Sequence, residues 1–210
     1  MSSATAYSDA ATIPALLEHA GRREAVALES LDAPPAAHGV LAASSSALAG
    51  ALRIHGVGRG DRIAVVSPNS AAMVTAFLGA ASVGSCAPLN PGYGRAELDF
   101  FLGDLAARIL LVASELDTPA RDAARSKGIP VVEFSQCAGA ASGVVVLDGR
   151  APEGFLPTCA QPQDVALILH TSGTTSRPKL VPLTHGNLIA SARHVAASLA
   201  LGPADRSLTI

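Results

Sequence analysis

The sequence predicts an α/β fold: layered, mostly parallel sheets flanked by helices. Three observations carry this expectation. Short apolar runs alternate with helix-like segments along nearly the whole chain. One run, "VALIL" at 165–169, is continuously apolar, the pattern of a strand covered on both faces. The 210 residues, 49% hydrophobic but only 3% aromatic, suffice for a true core that Ala, Val, Leu and Ile must build.

The elements follow in order. "IPALLEH" reads as a short helix and "EAVALES" as a strand. Residues 32–39, "DAPPAAHG", read as a turn-rich connection. "VLAASSSALAGALRIHG" has helical spacing and stops at Gly56, a C-cap glycine. A Gly-rich turn, with Asp61 as its turn residue, leads to an apolar strand at Ile63–Val66. Pro68 breaks that strand, and Ser67 or Asn69 opens the helix "SAAMVTAFLGAASVG". "CAPLNPGYG" is a strand running into a loop, and "RAELDFFLGDLA" a helix with Leu98, Phe101 and Leu102 on one face. Strand "RILLV", helix "TPARDAARSKG" with Pro119 in its first turn, and strand "IPVVEF" come next. A low-complexity loop, "QCAGAASG", separates these from a further strand at "VVVLDG". After "VALIL" comes a polar loop, and Thr184 caps the helix "HGNLIASARHVAASLA". The closing "DRSLTI" reads as the entry to a buried strand, so the chain is expected to be the N-terminal part of a longer protein.

Composition excludes several functions. A net charge of −2 with no charge run offers no basic face for nucleic acid. No apolar run is long enough for a membrane span, and the N-terminus lacks the pattern of a secretory signal. Cys86, Cys137 and Cys159 are widely spaced without a CxxC pair, so they read as small buried hydrophobes in a reducing compartment. Neither a zinc site nor a disulfide framework is expected, and the cytoplasm is the expected location. A peroxisomal signal would lie at a C-terminus beyond Ile210.

The chemistry concentrates in "TSGTTSRPK", Thr171–Lys179, directly after the apolar run. Loops at the C-terminal ends of parallel strands are where such sheets hold ligands. Backbone N–H groups and hydroxyls in a Gly/Ser/Thr loop form a donor shell for phosphate oxygens. Gly173 permits close backbone approach, and Lys179 adds a mobile charge. The segment is not a Walker A loop, because Pro178 stands at the second glycine and Leu180 at the magnesium-binding Ser/Thr. By composition alone, a solvated Ser/Thr-rich turn is an equal reading.

The order of residues decides between the two. "TSGTTSRPKLVPLTHGNL" resembles the phosphate-binding signature of the adenylate-forming superfamily, which includes acyl-CoA synthetases, luciferase and nonribosomal adenylation domains. It matches at Thr171, Ser172, Gly173, Thr174, Thr175, Pro178, Lys179, Val181, His185 and Asn187. Ser176 and Leu180 replace the usual glycines, and "SGTTSRPK" after His170 resembles the oxalate–CoA ligase branch. "GVGRGDRIAVVSPNS" and "CAPLNPGYGRAELDFFLGD" resemble upstream blocks of the family in the same order.

The resemblance implies an ATP-dependent acid–CoA ligase. A carboxylate and ATP give acyl-adenylate and pyrophosphate, and coenzyme A then takes the acyl group. Residues 1–210 would be the N-terminal portion of the large AMP-binding domain, with the phosphate loop at 170–180. Its C-terminal half and the small lid domain would lie outside the chain. Thr171, Ser172, Gly173, Thr174 and Thr175 would hold the β- and γ-phosphates, with Lys179 as the catalytic charge on leaving pyrophosphate. Magnesium would accompany ATP, with no metal ligand assigned here. Partners would be a carboxylic acid, such as oxalate or a fatty acid, ATP and CoA. His185 and Asn187 read as helix-start structural residues, and Arg177 as solvated. His170 reads either as pocket-lining or as a packed structural histidine. The alternatives are a non-catalytic phosphate-binding module and an adenylation domain serving a carrier protein. The 210 residues by themselves are expected to be inactive.

Overall fold

The computed structural model describes residues 10–18, 24–152, 160–171 and 178–208. Six helices are described: α1 (Ile13–Glu18), α2 (His38–Ile54), α3 (Ala71–Val83), α4 (Arg95–Asp104), α5 (Ala120–Ser126) and α6 (His185–Ser198). The strands are β1 (Val26–Ser30), β2 (Ala33–Ala37), β3 (Arg62–Val66), β4 (Ser85–Leu89), β5 (Ile109–Ala113), β6 (Val131–Gln136), β7 (Val145–Leu147), β8 (Val165–Thr171) and β9 (Lys179–Thr184). Seven of them form one sheet in the order β7-β6-β5-β3-β4-β8-β9. The inner pairings are parallel, and the two edge strands, β7 and β9, run antiparallel. The mostly parallel α/β expectation is therefore met.

Alternation along the strands divides the core into two layers. Ile63 and Val65 of β3, with Ile109 and Leu111 of β5, face α2 and α3. Ala64 and Val66, with Leu110 and Val112, face α4 and α5. Small residues let the helices approach closely. A Cβ on Gly79 of α3 would lie 2.7 Å from Leu48 Cδ2 and 2.9 Å from the Ser45 carbonyl oxygen of α2.

Caps agree with the sequence except in detail. Gly56 follows α2 at φ +79°, the left-handed geometry of a helix-ending glycine. Asp61 accepts from Gly58 N at 2.8 Å, the turn role expected of it. The α3 cap is Ser70, whose hydroxyl accepts from Met73 N, rather than Ser67 or Asn69. Pro119 sits at the N-cap of α5 instead of within its first turn.

Four expectations are corrected. Residues 33–37 form a strand despite Pro34 and Pro35, because they lie in a two-stranded ribbon where missing N–H groups are tolerated. The stretch between the polar loop and the helix, given no element by the sequence, forms edge strand β9 (Lys179–Thr184) with Pro182 inside it. Strand β8 is not covered on both faces, and Leu169 is 38% exposed next to the edge. Residues 205–208 form no strand, and Leu208 is 87% exposed, while residues 209–210 of the expected strand entry lie outside the described residues. Cys86 is fully buried, where desolvation pushes its thiol far above the usual range, while Cys137 is half-buried. Cys159 lies outside the described residues.

Candidate functional site

Strand β8 delivers the polar loop to the C-terminal end of the sheet. It pairs in parallel with β4 through Cys86 and Leu167, then in antiparallel register with β9 from Val165↔Thr184 to Thr171↔Lys179. The first and last residues of the predicted phosphate loop thus face each other across the final rung of a hairpin. Ser172, Gly173, Thr174, Thr175, Ser176 and Arg177 lie outside the described residues. Thr171 and Lys179 are both exposed, and Lys179 has no hydrogen bond or ion pair among the described residues. With no partner among the described residues, this ammonium is available to an incoming anion without first breaking a contact to them.

Leu180 has a structural role. It pairs with His170 in the ladder and packs against the core layer under α4. A glycine there would forfeit this packing and weaken the strand.

His170 lies at the root of the hairpin. Its side chain is 5% exposed, and its ring meets Phe101 edge-on at 4.4 Å. Phe101 in turn stacks on Tyr93 at 4.8 Å. Nε2 stands 3.5 Å from Asp104 Oδ2, and neither ring nitrogen has a good hydrogen bond among the described residues. Burial holds this imidazole below the ordinary histidine value, opposed by Asp104. Nothing in the sequence links positions 104 and 170.

The far side of the hairpin is tied down by α6. Thr184 Oγ1 accepts from Asn187 N at 3.1 Å, and Asn187 Oδ1 accepts from Thr184 N at 3.0 Å. This reciprocal pair is a capping box with Asn in the usual Glu/Gln role. His185, 1% exposed, accepts from Ile13 N at its Nδ1 (3.2 Å). Arg193 donates to the Ala10 carbonyl at 2.7 Å. The helix after the loop is thereby clasped to the N-terminal segment. The expected structural role of His185 and Asn187 holds, but the partner at Ile13 was not readable.

A cavity of about 330 Å³ opens at the opposite end of the sheet, where Arg62, Ser85 and Val165 begin their strands. Its wall carries Arg59, which grips Asp164 with Nη2–Oδ1 at 2.6 Å and Nε–Oδ2 at 2.8 Å. That grip holds the Asp164 carboxyl below the usual carboxylate range. The cavity reaches along β8 and β9 as far as Ile168 and Pro182, and neither Thr171 nor Lys179 lines it. No group of three or more His, Cys, Asp or Glu that could hold a metal ion is found among the described residues.

Comparison with known proteins rests on this geometry. The AMP-binding enzyme family matches residues 21–210. The chain belongs to that family. Among relatives of this AMP-binding family member is the oxalate–CoA ligase of Arabidopsis thaliana, 34% identical over 160 residues, 74% of this chain and 31% of the relative. The 3-hydroxybenzoate–CoA ligase of Aromatoleum sp. is 31% identical over 172 residues, 80% of this chain and 33% of the relative. The crystal structure of a long-chain-fatty-acid-CoA ligase, FadD1, from Archaeoglobus fulgidus superposes with a TM-score of 0.72 at 27% identity. That match covers 90% of this chain and 40% of that one. The chain spans about a third of the length of the curated relatives it matches. These relatives are acid–CoA ligases, so membership of the adenylate-forming ligases stands. Their acids range from oxalate to fatty acids, so the family does not define one acyl substrate.

Proposed function

We propose that this chain carries the phosphate-holding part of an ATP-dependent acid–CoA ligase, as the N-terminal portion of its large AMP-binding domain. The observation that carries the reading is the exposed Lys179 opposite Thr171 at the C-terminal end of β8, without an ion pair among the described residues. In the first step, a carboxylate oxygen bonds to the α-phosphorus of ATP while the α–β bridging P–O bond breaks. The products are acyl-adenylate and pyrophosphate. Charge grows on the departing pyrophosphate, and fixed donors plus one cation lower that barrier. Thr171, Ser172, Gly173, Thr174 and Thr175 supply hydroxyl and backbone donors, and Lys179 the cation. In the second step, the thiol of coenzyme A attacks the acyl carbon and AMP leaves.

Magnesium fits this reading as a companion of the nucleotide. The described residues offer no protein cage, and Mg²⁺ commonly binds through substrate phosphates with few protein ligands. The acid we propose is either a small acid such as oxalate or a fatty acid, and the compartment the cytoplasm.

Carboxylate-dependent exchange of labelled pyrophosphate into ATP tests the reading. The gene's full product is assayed with oxalate, hydroxybenzoate and fatty acids. Exchange with at least one acid is expected, and exchange with none overturns the ligase assignment. We also infer that the 210 residues alone do not complete ligation. Rate depends on placing the carboxylate in line with the α-phosphorus, and this loop addresses only the phosphate end. Mass spectrometry of the isolated chain with acid, ATP and CoA should find no thioester.

A further inference from the structure

We propose that His170 is a positioning residue for the phosphate loop: with Asp104 it forms a proton-operated clasp that fixes the root of the β8–β9 hairpin to α4. The inference rests on the phosphate-loop reading above for its purpose, but its geometry stands independently.

Two buried ring nitrogens without good partners are costly, so they call for an explanation. A neutral imidazole has one N–H and one lone pair. Asp104 Oδ2 stands 3.5 Å from Nε2. That separation is longer than a good N–H···O bond and within reach of one by a small side-chain rotation. Asp104 itself makes no other ion pair or hydrogen bond among the described residues. The unsatisfied member is the buried ring, since Asp104 is 38% exposed and meets solvent. Adding a proton to His170 converts a long dipolar contact into a charge-assisted hydrogen bond, the shorter and stronger kind.

Other charges around the ring do not replace this partner. On α4, Arg95 is taken by Asp99 at 2.9 Å, and Asp99 thereby. Glu97 of the same helix accepts from Gly94 N at the helix start. Tyr93 contacts Phe101 rather than His170. Lys127, at the end of α5, points its ammonium toward Gly103, and Arg62 of β3 donates to the Leu105 carbonyl at 2.9 Å. On β9, Lys179 is one rung further along and exposed. Burial favours the neutral ring and outweighs Asp104, which favours the charged one, so removing Asp104 would lower the ring's proton affinity further.

The consequence for the loop is mechanical. His170 and Leu180 form the rung directly before Thr171 and Lys179. Drawing His170 toward α4 seats that rung, and with it the two ends of the phosphate loop. Anionic phosphates held just beyond Thr171 would favour the protonated ring and so tighten the clasp.

The test is NMR on the 210-residue chain. The His170 ring carbon-bound proton and the backbone amides of Thr171, Lys179 and Leu180 are followed across pH. The amides are expected to titrate with the same midpoint as the ring. Asp104→Asn should lower that midpoint by about 0.5 pH unit or more, the size of a partly exposed charge pair. His170→Phe keeps an aromatic packed against Phe101, and it should abolish the amide response while leaving the core resonances in place. Amides that ignore the His170 titration, or an unchanged midpoint in Asp104→Asn, overturn the clasp. Inorganic pyrophosphate should raise the wild-type midpoint. If it does not while the Asp104-dependent titration holds, the clasp stands and the phosphate-loop assignment is what fails.

Discussion

Acid should loosen the N-terminal segment through a single imidazole, His185. The ring is 1% exposed. Its Nδ1 accepts from Ile13 N at 3.2 Å, and its other nitrogen donates to the Ala81 backbone. The neutral Nε2–H tautomer is thus the only form that satisfies both partners. Burial lowers its proton affinity below the ordinary value of 6.5, with the Asp164 charge and the Ala81 bond opposing. The unfolded chain therefore holds this proton more tightly than the folded one. His185 contributes its full stability above pH 6.5, and that contribution is lost as pH falls through the depressed folded value. Protonation places an N–H against the Ile13 N–H, leaving a buried donor without an acceptor, a cost of about 1–3 kcal/mol. Urea unfolding at about pH 8 and about pH 5.5 measures this in wild type and His185→Phe. The variant should be less stable by roughly that amount at the higher pH, because Ile13 N has no acceptor at any pH. The gap should narrow at the lower pH. His170 titrates in both proteins, so only the difference between them reports on His185. A gap that is the same at both pH values would refute the assignment. Loss of hydrogen-exchange protection at the Ile13 amide on acidification is the local check.

Three further outcomes follow from named contacts. In the full-length product, Lys179→Ala should cut the turnover of pyrophosphate exchange about 10-fold or more while changing KM for ATP less, because its charge meets one that grows in the transition state. An unchanged kcat with raised KM would assign it to ground-state binding. Gly79→Ala should destabilise the chain by up to about 2 kcal/mol: overpacking against Leu48 and the Ser45 carbonyl costs about 1–3 kcal/mol, offset by roughly 1 from helix propensity. A raised melting temperature would show that α2 and α3 move apart freely. Thr184→Ala removes the acceptor for Asn187 N and should cost about 1 kcal/mol in denaturant titration, with an unchanged midpoint counting against the capping box.

The sequence by itself determined the layered α/β class, the interior strands and the cap at Thr184. These are local properties: apolar period, turn residues and the order of a short polar segment within one stretch of chain. It also carried the family, because the run from Thr171 to Asn187 is a contiguous pattern. Where one local signal masked another, it misled. The proline-bearing stretch Lys179–Thr184 shows no clear strand signal and is an edge strand, because an edge tolerates Pro182 and only the neighbouring strand supplies its ladder. The tertiary structure alone decided who meets whom. Ile13 N and His185 are 172 positions apart, and Asp104 and His170 are 66 apart by their numbering, so no periodicity links either pair. It also turned Lys179 from a charge near a loop into one standing opposite Thr171. That register is set by backbone pairing across the hairpin, which side-chain chemistry along a single strand does not encode.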